Sequence, residues 1–101
     1  MKITKQVVLK KLEEVLDPEL GISIVDLGLI YKVVIKKNKI FITMTLTTVG
    51  CPLFSIIESD IKNKIIELGF LEKNIVLKLT FDPLWDIDKI TERGKIILGI
   101  S

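Results

Sequence analysis

The stretch LIYKVVIKKNKIFITMTL, residues 29–46, alternates apolar and polar side chains on either side of the short polar turn KKNK. A period of two is typical of a half-buried strand, and a polar turn between two such strands is typical of a hairpin. The stretch therefore predicts a β-hairpin with one apolar face. The side chains predicted to point into the core are Tyr31, Val33, Ile35, Ile40, Ile42, Met44 and Leu46.

An amphipathic helix is predicted before the hairpin. Apolar residues recur at helical spacing over residues 7–16, and Thr4 suits the N-cap position. The helix is expected to end near Asp17, because Pro18 follows and disfavours helical backbone in the residue before it. The next segment, ELGISIVDLG at residues 19–28, is predicted to be irregular.

A second helix, a third strand and a last helix are predicted after the hairpin. Pro52 suits the first position of the second helix. The third strand is NIVLKLTFD at residues 74–82, and Asp86 or Asp88 is predicted to cap a last helix that ends near Leu98. The residues predicted to be buried here are Ile57, Ile61, Ile65 and Leu68, with Phe54 and Ile66 widening the helical stripe, and Ile75, Leu77, Leu79 and Phe81 in the strand.

The order α-β-β-α-β-α predicts one two-layer α+β domain over residues 1–101. The second helix is then a crossover, which gives a three-stranded mixed sheet with the helices mainly on one face. Val34, Phe41 and Val76 on the other face fit either a contact surface or an ordinary one-sided sheet. The full set predicted for that open face is Lys32, Val34, Lys36, Phe41, Thr43, Thr45, Val76, Lys78 and Thr80.

The composition excludes several classes of function. The net charge of +2 comes from interspersed charges of both signs, which does not indicate nucleic-acid binding. No apolar run approaches the roughly 20 residues of a membrane span. The chain has one cysteine and no histidine, so it has no internal disulfide, no Cys-His pair and no usual zinc ligand set. We expect a cytoplasmic protein, because a single thiol fits a reducing compartment.

The only cysteine, Cys51, lies in TTVGCPL at residues 47–53, where a strand is predicted to end and a helix to begin. A helix N-terminus favours the thiolate, by about 0.3–1 kcal/mol at an exposed site. That is less than the 1.36 kcal/mol of one pKa unit, so strong activation needs a nearby cation as well. The alternative is that the thiol is a small apolar filler beneath the helix, and the residues alone leave both interpretations open.

Three carboxylates, Asp17, Glu19 and Asp26, fall within ten residues of predicted loop. They form either a functional cluster or ordinary structural caps, with Asp17 ending a helix and Asp26 forming an Asx-turn. Carboxylates alone also suit a hard cation, although their spacing matches no EF-hand.

The last segment contains a tryptophan in a loop and an Arg-Gly pair inside a predicted helix. Trp85 is expected to be either a lid on the core or an anchor in an interface. Gly94 costs about 1 kcal/mol relative to alanine in a helix, and the close approach of another backbone would explain it. Arg93 lies either on a solvated helix face or beside the carboxylates.

Several motifs, in order and nearly end to end, resemble those of the small metal–sulfur cluster assembly family, the SufT- and PaaD-type proteins. They are DPE at residues 17–19, VDLGLI at 25–30, the threonines with Cys-Pro at 47–52, and an arginine followed by Leu-Gly at 93–99. Family members commonly carry Pro-Pro-Trp-Thr where this chain has DPLWD at 82–86.

The resemblance implies a factor that delivers or inserts iron–sulfur clusters into client proteins. We expect no enzymatic activity, because the chain is too small for a multistep enzyme and has no base beside its thiol. The partners implied are other assembly proteins and client apoproteins, with no nucleic acid and no membrane. The site residues that the resemblance implies are Asp17, Glu19, Asp26, Thr47, Thr48, Cys51 and Arg93.

One cysteine cannot supply the four ligands that a protein-held cluster normally needs. We therefore expect no stably bound cofactor in the monomer. Cys51 is expected to be a transient metal ligand, to share a cluster across a homodimer, or simply to contact a partner. The alternative functions are an accessory subunit of a multicomponent oxygenase, as in PaaD-like proteins, and, less favoured, a thiol-dependent enzyme. An RNA-binding module ranks last, because the charge is weak and there is no G-x-x-G loop.

Overall fold

The computed structural model describes residues 3–47 and 53–99 of the chain. The three helices are α1 (Lys5–Leu12), α2 (Phe54–Glu67) and α3 (Glu92–Leu98), and the three strands are β1 (Ile30–Lys36), β2 (Lys39–Met44) and β3 (Ile75–Leu79). Short 3-10 turns at Glu72–Asn74 and Ile87–Lys89 precede β3 and α3.

The sheet is mixed, as predicted, and its strands lie in the order β1-β2-β3. β1 pairs with β2 antiparallel, and β2 pairs with β3 parallel because α2 carries the chain back to the other end of the sheet. α1 packs on β1 and on α2, and α2 packs on β3, so these two helices form the second layer. The structure is therefore the predicted two-layer α+β domain.

The core lies between these two layers. Ile57, Ile61 and Ile65 point from α2 into it and are at most 1% exposed. Ile66 is 41% exposed, so the prediction that it widens the buried stripe was wrong. The buried apolar residues are Val8, Leu12, Val15, Ile22, Ile24, Leu27, Leu29, Val33, Ile40, Ile42, Met44, Leu46, Ile57, Ile61, Ile65, Ile75 and Ile90.

α1 begins where predicted and ends earlier than predicted. The Thr4 hydroxyl accepts a hydrogen bond from the Val7 N–H at 3.2 Å, which caps the helix. The helix ends at Leu12 because the backbone of Val15 turns to a different partner, accepting a hydrogen bond from the Ile24 N–H at 3.0 Å.

α2 and α3 both begin later than predicted. α2 starts at Phe54 with Leu53 at the N-cap and no side-chain cap. Pro52, which was predicted to be its first residue, lies outside the described residues. α3 starts at Glu92, and its cap is Thr91 rather than either aspartate. Asp86 caps the preceding 3-10 turn instead, because its Oδ1 accepts from the Asp88 N–H at 2.9 Å.

Two predicted strand positions differ from the simple alternation. The register shifts between Ile30 and Lys32, so Tyr31 is an extra, half-buried residue in β1. Thr45 is fully buried and does not lie on the open face, because its N–H donates to the Leu29 carbonyl at 2.8 Å beyond the end of β2. In the described ranges, no helix has both the length and the apolar character to cross a membrane.

Candidate functional site

The irregular segment before β1, residues 15–29, is a closed loop that contributes to the core. The Asp17 N–H donates to the Ile22 carbonyl at 2.8 Å, and this pairing holds the two ends of a tight reversal together. Four side chains from the loop are almost completely buried: Ile22, Ile24, Leu27 and Leu29. Because these side chains are held in the core, the polar groups between them have fixed positions.

The two carboxylates at the start of this loop bond locally or face solvent. Asp17 Oδ1 accepts from the backbone N–H groups of Glu19 and Leu20, at 2.9 and 3.0 Å, which is an Asx-turn. The Asx-turn was predicted at Asp26 and lies at Asp17 instead. Glu19 is exposed, and only its backbone N–H takes part in the turn.

Asp26 receives three hydrogen bonds from α3 and its cap. Arg93 donates through Nε to Oδ2 at 2.9 Å and through Nη2 to Oδ1 at 3.1 Å. The Thr91 hydroxyl donates to Oδ1 at 3.0 Å. The Asp26 carbonyl also accepts from the Thr91 N–H, at 2.8 Å. Because Asp26 is only 6% exposed, these donors replace the water that the carboxylate would otherwise bind.

Glu13, directly after α1, completes this cluster by accepting a hydrogen bond from Arg93 Nη2. Hydrogen bonds to Asp26 and then to Glu13 raise the pKa of Arg93 above its already high ordinary value. The guanidinium therefore ties together the end of α1, the loop and α3. We call Glu13, Asp26, Thr91 and Arg93 the arginine clamp.

A glycine allows α3 to approach the loop closely, as predicted for Gly94. A Cβ on Gly94 would lie 3.0 Å from the Asp26 carbonyl oxygen and 2.8 Å from Ile90 Cγ2. At the other side of the loop, Gly28 has a φ of +76°, and a Cβ there would lie 2.2 Å from the Lys89 carbonyl oxygen. Both positions require glycine because two backbones are in contact.

Trp85 is a lid on the core rather than a free interface anchor. Its ring is partly buried against the core, and its indole N–H donates to the Leu27 carbonyl at 2.6 Å. The same loop is held to β1 by the Tyr31 hydroxyl, which donates to the Pro83 carbonyl at 2.9 Å. The DPLWD segment is thus fixed at two points despite its departure from the family pattern.

Of the site residues predicted from sequence, the structure brings Asp26 and Arg93 into direct contact. Thr47 is half-buried, beyond the end of β2. Thr48 and Cys51 lie outside the described residues. Cys51 precedes the N-cap of α2 by two positions, so the helix begins farther along the sequence from Cys51 than predicted.

Sequence reasoning missed three polar residues at this end of the sheet. Thr91 is the N-cap of α3, and its hydroxyl accepts a hydrogen bond from the Gly94 N–H three residues later. A threonine directly before a helical segment is a sequence signal for an N-cap, so this residue could have been predicted. Glu13 gave no local signal, because its partner lies 80 residues away in sequence. Thr45 was assigned to the wrong face. Its fully buried hydroxyl has no hydrogen-bond partner among the described residues.

The clamp is suited to fixing the loop and not to binding a metal ion. Its carboxylate oxygens already accept hydrogen bonds from a guanidinium and a hydroxyl. Within residues 3–47 and 53–99, no group of three or more His, Cys, Asp or Glu side chains is arranged to hold a metal.

Curated relatives match the chain over almost its full length. It is 41% identical over 98 residues to the Fe-S protein maturation auxiliary factor YitW of Bacillus subtilis, covering 96% of this chain and 95% of the relative. It is 39% identical over 88 residues to the Fe-S protein maturation auxiliary factor SufT of Staphylococcus aureus, covering 86% and 99%. These names describe auxiliary factors and not enzymes.

Solved structures show the same fold. A DUF59 domain from Bacillus anthracis superposes with a TM-score of 0.87 at 36% identity, over 96% of this chain and 92% of that domain. A conserved protein of Thermotoga maritima gives a TM-score of 0.80 at 36% identity, over 98% and 97%. The family model described as "Iron-sulfur cluster assembly protein" matches residues 5–76. The chain therefore belongs to the iron–sulfur cluster assembly protein family.

Proposed function

We propose that this protein assists the maturation of iron–sulfur proteins by delivering a cluster to client apoproteins, or by helping to insert it, through a site around Cys51. The observation that carries the proposal is the nearly full-length match to relatives named as Fe-S protein maturation auxiliary factors. The proposed setting is the cytoplasm, and the proposed partners are a cluster donor and client apoproteins.

The path of the chain up to Thr47, directly before the Cys51 segment, supports a role for the arginine clamp. β2 ends at Met44, and Thr45 then bonds to Leu29, which is three residues after Asp26. The chain therefore enters the Cys51 segment beside the loop that the clamp fixes. In this proposal the clamp holds rigid one wall of the surface that a partner meets.

The ligand count favours transfer of a cluster over its storage. A protein-held cluster normally has four ligands, mostly Cys thiolates, and this chain has one cysteine and no histidine. Cys51 is proposed to donate one ligand while the cluster, as cargo, is still held by thiolates of the donor or the client. A homodimer that shares a cluster between two copies of Cys51 is the alternative arrangement.

The test is anaerobic cluster transfer from a loaded scaffold protein to an apo-[4Fe–4S] enzyme whose activity returns with its cluster. The wild-type chain should accelerate recovery, and Cys51→Ser should remove most of that acceleration while keeping the same unfolding midpoint. Ser59→Ala, an exposed change on α2, is the matched control and should behave as wild type. If Cys51→Ser accelerates recovery as well as wild type does, the proposed thiol role is wrong.

Reconstitution of the chain alone with iron and sulfide separates the two arrangements. A monomer with one thiol should show no stable cluster absorption after desalting. A shared cluster should appear together with a dimer in sedimentation, and both should disappear in Cys51→Ser.

A further inference from the structure

The open face of the sheet carries an apolar row that crosses all three strands. The register places Val34 directly opposite Phe41, and Phe41 directly opposite Val76. Phe41 is 36% exposed and Val76 is 43% exposed. The three side chains therefore form one continuous strip, which we call the apolar row.

Lysines lie on both sides of the apolar row. On one side, Lys32 and Lys78 flank Thr43, and on the other side Lys36 is paired directly with Lys39. All four lysines are exposed, and none takes part in an ion pair among the described residues. The charge of these four lysines exceeds the net charge of +2 of the whole chain. This face is therefore basic, and the rest of the chain is acidic on balance.

Protection of sheet edges explains only part of this pattern. β1 and β3 are the edge strands, and lysines on edge strands discourage association between sheets. Lys39 and Phe41, however, lie on the central strand β2. The direct Lys36–Lys39 pair also places like charges opposite each other, which destabilises an isolated sheet. A partner with carboxylates at these positions would offset that repulsion.

We propose that this face binds an acidic amphipathic helix of a partner protein. Alternate residues along a strand are about 6.8 Å apart, so the lysines lie about 7 Å to either side of the apolar row. A helix about 10 Å across, lying along the row, would place its apolar stripe on Phe41 and its acidic flanks over both sets of lysines. The row spans three strands, about 10 Å, which corresponds to two helical turns.

Other occupants fit this face less well. A second copy related by a two-fold axis would bring lysines against lysines. Single-stranded RNA on a sheet is held by two or three stacking aromatic rings, and here Phe41 is flanked by two branched valines that offer no flat surface. The inference rests on the proposed function only in that the partner is expected to be a client or an assembly protein.

The experiment is an NMR titration of the ¹⁵N-labelled chain with a synthetic helical peptide that has a leucine stripe flanked by glutamates. The same peptide with lysines in place of the glutamates, an oligouridylate and phosphatidylglycerol vesicles are titrated in parallel. The acidic peptide should shift the amides of Val34, Phe41 and Val76 most strongly, and the other three ligands should not.

Two charge-reversal variants sharpen the test. Lys36→Glu/Lys39→Glu should weaken peptide binding by about tenfold or more, and it keeps a like-charge pair, so folding should be unaffected. Lys5→Glu/Lys10→Glu, with the same charge change on exposed positions of α1, is the control and should bind as wild type. Phe41→Thr should also weaken binding, since threonine keeps the strand but removes the ring.

The proposal is overturned if the acidic peptide leaves these amides unmoved at about 1 mM, or if both double variants weaken binding equally. It is also overturned if the RNA or the vesicles shift the same amides more strongly than the peptide does. Because Cys51→Ser should bind the peptide normally, loss of cluster transfer in that variant and loss of peptide binding here are separate results.

Discussion

Arg93 and Asp26 form a two-point ion pair across 67 residues of sequence, and only one of the two partners is buried. The Asp26 side chain is 8% exposed and that of Arg93 is 61% exposed, with Nε 2.9 Å from Oδ2. The buried carboxylate depends on its donors because little water reaches it, whereas the guanidinium remains hydrated on its outer side. The two residues should therefore respond differently to substitution.

Asp26→Asn should destabilise the protein by about 1.5–3 kcal/mol, the range for hydrogen bonds to charged groups. The substitution keeps the shape of the side chain and weakens its bonds to both Arg93 and Thr91. Urea unfolding measures the free energy, and Glu13→Gln is the control because it removes the charge from the outer contact of the clamp only and weakens that contact. An equal loss in the two variants would contradict the assignment of Asp26 as the centre of the clamp.

Gly94→Ala should destabilise the protein, although alanine is favoured over glycine in helices by about 1 kcal/mol. The new methyl group would lie 3.0 Å from the Asp26 carbonyl oxygen and 2.8 Å from Ile90 Cγ2. The Asp26 carbonyl belongs to the backbone, so it cannot move aside as a flexible side chain could. Overpacking of this kind costs about 1–3 kcal/mol. Thermal unfolding should show a lower midpoint for Gly94→Ala and an equal or higher one for Ser59→Ala; a raised midpoint in Gly94→Ala would show that α3 moves away at no cost.

Thr45→Val should stabilise the protein by about 1 kcal/mol or more. The fully buried Thr45 hydroxyl has no partner among the described residues, and an unsatisfied buried polar group costs about 1–3 kcal/mol. Thr43→Val on the open face is the control and should change the unfolding free energy by less. Destabilisation of Thr45→Val would indicate a hydrogen bond from this hydroxyl to residues 48–52.

Glu67→Gln should change how stability depends on pH. Lys11 lies 2.8 Å from the Glu67 carboxylate, and this hydrogen bond lowers the pKa of Glu67 below its ordinary 4.5. A lowered folded-state pKa contributes stability above pH 4.5 that is lost as the pH falls through the folded value. The same contact raises the pKa of Lys11 above 10.5, so neutral pH lies within the stabilising range of both groups.

Urea unfolding between pH 3 and 7 should therefore give wild type a larger free energy of unfolding than Glu67→Gln at neutral pH. The difference between the two free energies should shrink below pH 4.5. Glu58→Gln is the matched control, because its carboxylate lies 3.9 Å from Lys62 and should matter less. A difference that is constant over the whole range would contradict the ion-pair explanation.

The elements with strong periodicity could be predicted from sequence, and their boundaries could not always be. The hairpin and the buried stripe of α2 follow from alternation and from helical spacing, since both are local patterns. The end of α1 was misplaced because Val15 pairs with Ile24, a contact that the helical pattern does not contain. The loop at residues 15–29 has no regular period, so its four core residues gave no signal.

In the candidate site, too, some residues could be noticed in the sequence, whereas their contacts could not be predicted. Asp26 was noticed as one of three loop carboxylates and Arg93 as part of an Arg-Gly pair, and the resemblance named both as site residues. Their contact joins segments that no local pattern relates. Glu13 could not be found, because its role exists only after α1 and α3 have come together. The roles of Cys51 and Thr48 stay predictions, since both lie outside the described residues.

The clamp and the tryptophan lid also order events during protein synthesis. The hydrogen bond of Leu27 to Trp85 cannot form until 58 further residues have been synthesised. Those of Asp26 require Thr91 and Arg93, which come later still. A ribosome that adds about 5–20 residues per second needs several seconds to supply them. Until then the loop before β1 has its apolar side chains but lacks the hydrogen bonds and the ion pair that hold it in place. A nascent chain that ends between Leu79 and Trp85 would therefore have all three strand sequences but neither Trp85 nor Arg93 to hold this loop. We expect such truncated products to be cleaved readily by proteases.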